Sequence, residues 1–94
     1  MTAGRFPVVN DEQKQAVGKV LLELRENTGM ERQEFADICN VDVSQLLKIE
    51  RGDGEPGFMT ILKIATGLKM KPGKLVDIIY DRLEEKRLLD PFQF

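Results

Sequence analysis

The segment Asn40–Gly52, with the sequence NVDVSQLLKIERG, has the pattern of a short helix with a cap at its start and a stop at its end. Asp42 is a favourable N-cap residue, and Gln45 three positions later predicts a capping box. Gly52 is the type of residue that commonly follows the last turn of a helix. We therefore predict a helix that begins after Asp42 and ends close to Gly52.

The helical period of 3.6 residues divides this predicted helix into two faces. The inward face holds Leu46, Ile49 and Glu50. The outward face holds Ser44, Lys48 and Arg51, with Val43, Gln45 and Leu47 on its flanks. A carboxylate on an inward face needs a hydrogen-bonded cation, and arginine is the best such partner. Glu50 therefore predicts an arginine partner from another part of the chain.

Helical periodicity continues outward in both directions, and no alternating strand pattern interrupts it. The first helix is expected after Asn10, capped together with Gln13 and ended by Gly29. The second is expected at about residues 31–39, after which Asn40 tolerates a left-handed turn. Two further helices are predicted at about residues 58–66, before a turn at Gly67, and at 72–89. Five helices with short connections predict an all-α fold, in which the second and third form a helix-turn-helix.

The composition fits one small globular domain, since 41% of the 94 residues are hydrophobic and 32% are charged. We divide the chain into an N-terminal arm at residues 1–10, a helix-turn-helix domain at 11–80, and a C-terminal helical extension and tail at 81–94. The chain contains no histidine, which removes the usual general base and zinc ligand. We therefore expect no enzymatic activity, no metal and no cofactor.

The first residues of the sequence and its cysteine content predict the cellular location. Cys39 is the single cysteine, so an internal disulfide is excluded and a reducing cytosol is indicated. The first residues, MTAGRFPVV, lack the features of a secretory signal, and no apolar run reaches the length of a membrane span. A cytoplasmic protein without a membrane partner is expected.

One set of residues stands in a familiar order and spacing: Gly18, Leu21, Leu24, Arg25, Phe35, Ala36, Val41, Leu46, Ile49, Glu50, Arg51, Gly52, Pro56, Ile61, Ala65 and Leu68. Through these residues the chain resembles the helix-turn-helix family of phage Cro proteins and repressors, also called the xenobiotic-response-element family. The resemblance covers about residues 17–79. It implies a five-helix lambda-repressor-like DNA-binding domain, and hence a sequence-specific transcriptional regulator of prokaryotic or phage type that represses by binding a double-stranded DNA operator.

The resemblance also implies roles for individual residues. In the family, an arginine late in the first helix pairs with the glutamate that ends the third, which here implies a structural ion pair between Arg25 and Glu50. The third helix lies in the major groove, which implies base contacts by Val43, Ser44, Gln45, Leu47 and Lys48. Phosphate contacts are implied for the side chains of Arg32 and Arg51 and for the backbone amides of Gly57 and Phe58.

Several of these residues have a purely structural alternative. Gln45 can serve the capping box alone, Val43 can cover core atoms, and Lys48 can be an ordinary solvated lysine. Arg32 stands where family members usually carry a glutamine that binds a phosphate and braces the third helix. Because a guanidinium matches phosphate well, this replacement favours the phosphate contact over the bracing role.

The charge distribution keeps a second function open. Residues 29–57 hold seven acidic and three basic side chains, although a DNA reader is usually basic on its working face. The alternative is a protein-interaction module that keeps the fold but no longer reads DNA, with a partner such as a toxin. Convergence of Arg32, Lys48 and Arg51 on one exposed surface would favour DNA. An apolar patch at Leu47 flanked by carboxylates would favour a protein partner.

The C-terminal segment carries more apolar residues than a compact five-helix core requires. We expect a homodimer contact there, formed by Tyr80, Leu83, Leu88 and Phe92, which suits a regulator that binds a two-fold operator. The alternative is that the tail folds back onto its own domain.

Overall fold

The computed structural model describes residues 10–89, and within them it contains five α-helices and no strand. The helices are α1 (Asp11–Thr28), α2 (Arg32–Cys39), α3 (Val43–Glu50), α4 (Phe58–Gly67) and α5 (Pro72–Glu85). The predicted all-α fold is confirmed. Most of the predicted N-terminal arm and the predicted dimer contact Phe92 lie outside the described residues. No helix among those described has both the length and the apolar composition needed to cross a membrane.

The start and end of α1 follow the sequence prediction. Asn10 Oδ1 accepts a hydrogen bond from the Gln13 backbone amide at 2.8 Å, and Gln13 Oε1 accepts one from the Asn10 amide at 3.0 Å. This reciprocal pair satisfies two amides that the helix itself leaves without partners. Gly29 ends the helix with a φ of 79°, a left-handed conformation that suits glycine.

One core binds the helices together, and α3 lies against both α1 and α2. The most deeply buried side chains of this core are Val20, Phe35, Leu46, Ile49, Ile64 and Leu75. Gly18 lets α1 approach α3 closely, because a Cβ atom at that position would overlap the carbonyl oxygen of Ile49. This close approach sets the distance between α1 and α3.

Gly67 does not have the role that the sequence predicted for it. It is the last residue of α4, and the left-handed turn occurs two residues later at Lys69, with a φ of 59°. The reason for glycine is packing, since a Cβ atom at Gly67 would overlap Cys39 Sγ in α2. The turn at Lys69 is closed instead by the Met70 amide, which donates to the Ala65 carbonyl at 3.0 Å.

The prediction that α5 continues to residue 89 is wrong, because the helix ends at Glu85. Arg87 adopts a φ of 60°, and the Leu88 amide donates to the Leu83 carbonyl at 2.8 Å. This is the arrangement that satisfies the last carbonyls of a helix through a left-handed residue. It turns Leu88 back toward α1, where its carbonyl accepts a hydrogen bond from Gln13 Nε2 at 2.7 Å.

Candidate functional site

The outward face of α3 is the centre of the candidate site. Leu46, Ile49 and Glu50 are buried. Ser44, Lys48 and Arg51 are exposed in one row on the opposite face. From Val43 to Arg51 the single acidic residue is Glu50, which is 6% exposed, so the charges that α3 presents to solvent are positive.

The cap of α3 differs from the predicted capping box. Asp42 is the N-cap, but its carboxylate accepts from the Ser44 amide at 3.0 Å, one residue earlier than predicted. The Gln45 side chain therefore does not return to the N-cap backbone. Instead, Gln45 Nε2 lies 3.5 Å from Thr60 Oγ1 in the first turn of α4. This orients Gln45 toward α4 at one edge of the exposed face.

The end of α3 is held by a cluster of three charged side chains, of which Arg25 and Glu50 are buried and Arg32 is partly exposed. Arg25 in α1 donates to Glu50 twice, from Nε at 2.7 Å and from Nη2 at 3.1 Å. The Arg25 Nη1 group donates to the Met30 carbonyl at 2.9 Å. Hydrogen bonding to Glu50 raises the pKa of Arg25, which therefore stays charged. The two residues for which the sequence implied an ion pair thus form a bidentate one in the interior.

Arg32 joins this cluster and thereby has the bracing role that the replacement of the family's glutamine had put in question. Its Nε donates to Glu50 Oε1 at 2.8 Å, so it connects the start of α2 to the end of α3. The Arg32 side chain is 35% exposed, whereas the Glu50 side chain is 1% exposed. Two guanidinium groups on one carboxylate leave a net positive charge at this junction. Arg32 braces α3 and still presents part of its guanidinium to solvent.

An open groove runs along one side of α3, facing α2. It has a volume of about 660 Å³, and Val43, Ser44 and Leu47 form its α3 wall. The opposite wall includes the acidic residues Glu26 and Glu31 together with Arg25, Arg32 and Gln33. Val43 and Leu47 are partly buried and so have an exposed apolar portion here. The surroundings of Leu47 therefore combine apolar, acidic and basic groups.

The start of α4 forms the opposite border of the exposed face. Gly57 is the N-cap, no side chain caps the helix, and its first turn has no acidic residue. The amides of this first turn lie at the positive end of the helix dipole and have no intrahelical partner. Phe58 is 76% exposed and Met59 is 60% exposed beside them.

Arg51 has a partner that the sequence interpretation did not consider. Its Nε lies 3.5 Å from Asp53 Oδ2, and both side chains are more than half exposed. Asp53 follows Gly52, whose φ of 81° closes the end of α3. An anion that binds Arg51 competes with Asp53 for it.

Comparison with known proteins assigns the family. The sequence model described as "Helix-turn-helix" matches residues 21–75, which include α2, α3 and the whole cluster around Glu50. The chain belongs to the Cro/C1-type helix-turn-helix family. The restriction-modification controller protein C.AhdI from Aeromonas hydrophila is similar in structure, with a TM-score of 0.64 and 31% identity. That match covers 68% of this chain and 97% of the controller protein.

The helix-turn-helix fold of this chain also occurs in the clp gene regulator ClgR from Corynebacterium glutamicum. One ClgR structure has a TM-score of 0.70 at 17% identity and covers 93% of this chain and 88% of its own. A second has a TM-score of 0.64 at 20% identity and covers 80% and 92%. A search of curated protein sequences found no significant match. The chain thus has the fold of DNA-binding transcriptional regulators.

Three of the four predicted dimer contacts fall within the described part of this helix-turn-helix chain. Tyr80 is 50% exposed on α5, and Leu83 is partly buried against the core. Leu88 is 9% exposed because the turn after α5 folds it back beside Ala16 of α1. Leu88 therefore has little surface left for a partner in a single chain, and its role as a dimer contact stays a prediction. At Leu88 the chain folds back toward α1, and the rest of the tail lies outside the described residues.

Sequence reasoning missed one surface feature near Tyr80. Val76 lies one turn earlier on α5 and is also 50% exposed. It borders an apolar depression that includes Val17 of α1 and Ile61 of α4. The spacing of four residues between Val76 and Tyr80 was a visible signal of a shared face. The depression itself depends on how three helices meet and has no signature in the sequence.

Proposed function

We propose that the chain is a sequence-specific double-stranded DNA-binding repressor that acts as a homodimer on a two-fold operator. The observation that carries this proposal is the outward face of α3 and of the residue after it, where Lys48 and Arg51 are exposed and the one carboxylate, Glu50, is buried. Its backbone is fixed to α1 and α2 through Glu50. A face of this kind can enter a major groove without reorganising the domain.

Base recognition would come from the side chains that the sequence singled out. Lys48 would donate to guanine O6 and N7, and Gln45 would pair with the edge of adenine. Val43 and Leu47 would pack on thymine methyl groups, on the flank that faces α2. Ser44 lies at the centre of the outward face and would hydrogen-bond to the edge of a base.

Phosphate contacts would fix the register of α3 on either side of the groove. The exposed part of Arg32 would reach one phosphate while its Nε stays on Glu50. The Gly57 and Phe58 amides would bind another, favoured by the dipole of α4. Arg51 would bind a phosphate by exchanging its contact with Asp53. These contacts position the protein and do not themselves read sequence.

The direction of regulation follows from the simplest use of such a domain. Occupying an operator is sufficient to block transcription and needs no further contact with the transcription machinery. The similarity to C.AhdI, a restriction-modification controller protein, supports a role in gene regulation. We propose that neither catalysis nor a cofactor takes part.

Fluorescence anisotropy over a salt series tests the proposal. The DNA would be the sequence upstream of the protein's own gene, with a scrambled control, followed by selection from random sequences if neither binds. Two phosphate-binding cations per subunit, Arg32 and Arg51, give a slope of log K against log salt of about −4 for a dimer. Lys48→Ala should reduce discrimination between the two DNAs by about tenfold, since one side-chain contact to a base is worth about 1–3 kcal/mol. Lys74→Ala, a matched exposed lysine on α5, should preserve it.

The amide contact at α4 has its own test. Phe58→Pro removes one amide at the first helical position, where proline is well tolerated. Phe58→Ala, like Phe58→Pro, removes the aromatic ring, but it keeps the backbone amide. If that amide binds a phosphate, the proline variant should bind operator more weakly than the alanine variant. Equal affinities would exclude the contact.

A second candidate function is supported by the groove beside Leu47. Its apolar residues and the carboxylates Glu26 and Glu31, which stand beside Arg25 and Arg32, suit a protein segment with apolar and basic side chains, such as one from a toxin. In that case selection from random DNA should enrich no sequence. Leu47→Ala should then weaken binding of the protein partner, whereas Lys48→Ala should not.

A further inference from the structure

The side chain of Gln45 is held from outside its own helix. Its Nε2 group lies 3.5 Å from Thr60 Oγ1, across 15 positions of sequence. Gln45 is exposed near the start of α3, and Thr60 is partly buried in the first turn of α4. Because the core fixes both helices, the Thr60 hydroxyl is a fixed point of attachment for a long side chain that otherwise has many rotamers.

The Thr60 hydroxyl is available for this contact because of its place in α4. A threonine hydroxyl inside a helix can bond to the carbonyl four residues back. Thr66 does so in the same helix, where its Oγ1 donates to the Leu62 carbonyl at 2.9 Å. The residue four positions before Thr60 is Pro56, which precedes the helix, and Thr60 makes no such bond in the described part of the chain. Its oxygen can therefore accept from Gln45.

A glutamine amide can bind either purine, and the number of N–H groups that it has free decides which. The amide has two N–H donors on Nε2 and one acceptor, Oε1. Adenine presents an acceptor, N7, and a donor, the N6 amino group, so one N–H and Oε1 are sufficient. Guanine presents two acceptors, N7 and O6, so it requires both N–H groups. A glutamine with both N–H groups free therefore discriminates poorly between the two purines.

We propose that Thr60 is a specificity-determining residue, which holds one N–H of Gln45 and thereby makes Gln45 select adenine against guanine. With that N–H bound to Thr60, one N–H and Oε1 remain for the base, which is the pattern that adenine requires. A guanine in the same place would bring its O6 against Oε1, so that two acceptors would face each other without a proton. The proposal rests on the proposed function, in which Gln45 pairs with adenine, and names the residue that sets this preference.

The contact between Gln45 and Thr60 should tighten when DNA binds. Its length of 3.5 Å in the free protein is long for an N–H···O hydrogen bond. An amide whose Oε1 accepts a hydrogen bond from adenine becomes a stronger donor through Nε2. Thr60 also follows the Gly57 and Phe58 amides, the proposed phosphate contact, in the same first turn of α4. A phosphate bound there would hold Thr60 in place while α3 reads the base.

Selection from random DNA with the full chain first identifies the base pair that Gln45 reads. It is the operator position at which the wild type prefers adenine and Gln45→Ala loses that preference. Anisotropy then gives dissociation constants for operators with adenine or guanine at this position, with the wild type, Thr60→Val, Thr60→Ser and Thr66→Val. Valine has the shape of threonine without the hydroxyl, and serine keeps the hydroxyl. Thr66 is the matched control, because its hydroxyl is bonded within α4.

Thr60→Val should reduce the preference for adenine over guanine about tenfold, because the second N–H of Gln45 becomes free to bind guanine. Thr60→Ser and Thr66→Val should keep the wild-type preference. In a Gln45→Ala background, Thr60→Val should change the affinity for neither operator. This double variant separates the proposed role from an effect of Thr60 on the packing of α4, which would weaken binding to both operators alike.

Two results would overturn the role of Thr60 and leave the proposed function. One is an unchanged preference, or an equal loss of affinity for both operators, in Thr60→Val. The other is a Gln45→Ala variant that keeps every base preference of the wild type. If the wild-type chain enriches no sequence from random DNA, the proposed function is wrong, and the role of Thr60 is wrong with it.

Discussion

Removal of Arg25 and removal of Arg32 should have very different effects on stability, although both side chains bind Glu50. Arg25→Ala leaves a carboxylate that is 1% exposed with one hydrogen bond, from Arg32, in place of three. Breaking a buried pair by deleting one partner costs about 3–5 kcal/mol, because the other charge stays buried. The substitution also removes the hydrogen bond that Arg25 Nη1 donates to the Met30 carbonyl.

Arg32→Ala should cost far less. Glu50 keeps both hydrogen bonds from Arg25, and a single hydrogen bond to a charged group is worth about 1.5–3 kcal/mol. The Arg32 side chain is 35% exposed, so solvent screens this bond and we expect a loss of about 1 kcal/mol. The two variants should therefore differ by about 2–4 kcal/mol in the free energy of unfolding. Since small domains are stable by only about 5–15 kcal/mol, Arg25→Ala should remove a large share of the free energy of unfolding.

Urea unfolding followed by far-ultraviolet circular dichroism at neutral pH measures this difference, with the m-value as a check on two-state behaviour. Replacing the buried pair by Arg25→Met and Glu50→Leu together should recover most of the loss, because the one cation left without its partner, Arg32, is 35% exposed and can be solvated. Equal losses in Arg25→Ala and Arg32→Ala would refute the reasoning. A double variant as unstable as Arg25→Ala alone would also refute it.

Three further outcomes are expected. Gly18→Ala should lower the free energy of unfolding by about 1–3 kcal/mol, because the added Cβ overlaps the Ile49 carbonyl oxygen. Gly73→Ala is the control, since a Cβ there meets nothing within 4 Å, and it should be neutral or stabilising in the same urea measurement. Burial raises the pKa of the Cys39 thiol to about 11; because the unfolded chain then loses the thiol proton first, stability should fall between about pH 9 and 11 by up to about 2 kcal/mol. Cys39→Ala should lack that fall when unfolding curves at the two pH values are compared. Asp53→Asn should free Arg51 and tighten operator binding about two- to fivefold in the anisotropy assay at low salt, and unchanged affinity would exclude the competition.

The helices of this chain could be predicted because their signals are local. The capping box at Asn10 and the left-handed turn at Asn40 depend on a few neighbouring residues, and both occur where the sequence placed them. The left-handed turn at Arg87 could not be foreseen, because arginine has no preference for it. What decides that turn is Leu88, which becomes buried only after α1 is in place.

The candidate site shows the same division between local and tertiary signals. The outward row of Ser44, Lys48 and Arg51 follows from helical period alone. The second partner of Glu50 does not, because Arg32 reaches it from another helix across 18 positions of sequence. The side-chain contact of Gln45 with Thr60 in place of a capping box is likewise a product of helix packing. Contacts between helices set these details, and sequence spacing alone does not encode them.

The position of α3 depends on its anchors more than on its own helical tendency. It has eight residues, and isolated helices shorter than about 12–15 residues are marginal in water. Leu46 and Ile49 fix its inner side, and Glu50 fixes its end to both α1 and α2. Changes in Arg25 should therefore reach DNA binding through the orientation of α3, without any direct contact between Arg25 and the operator.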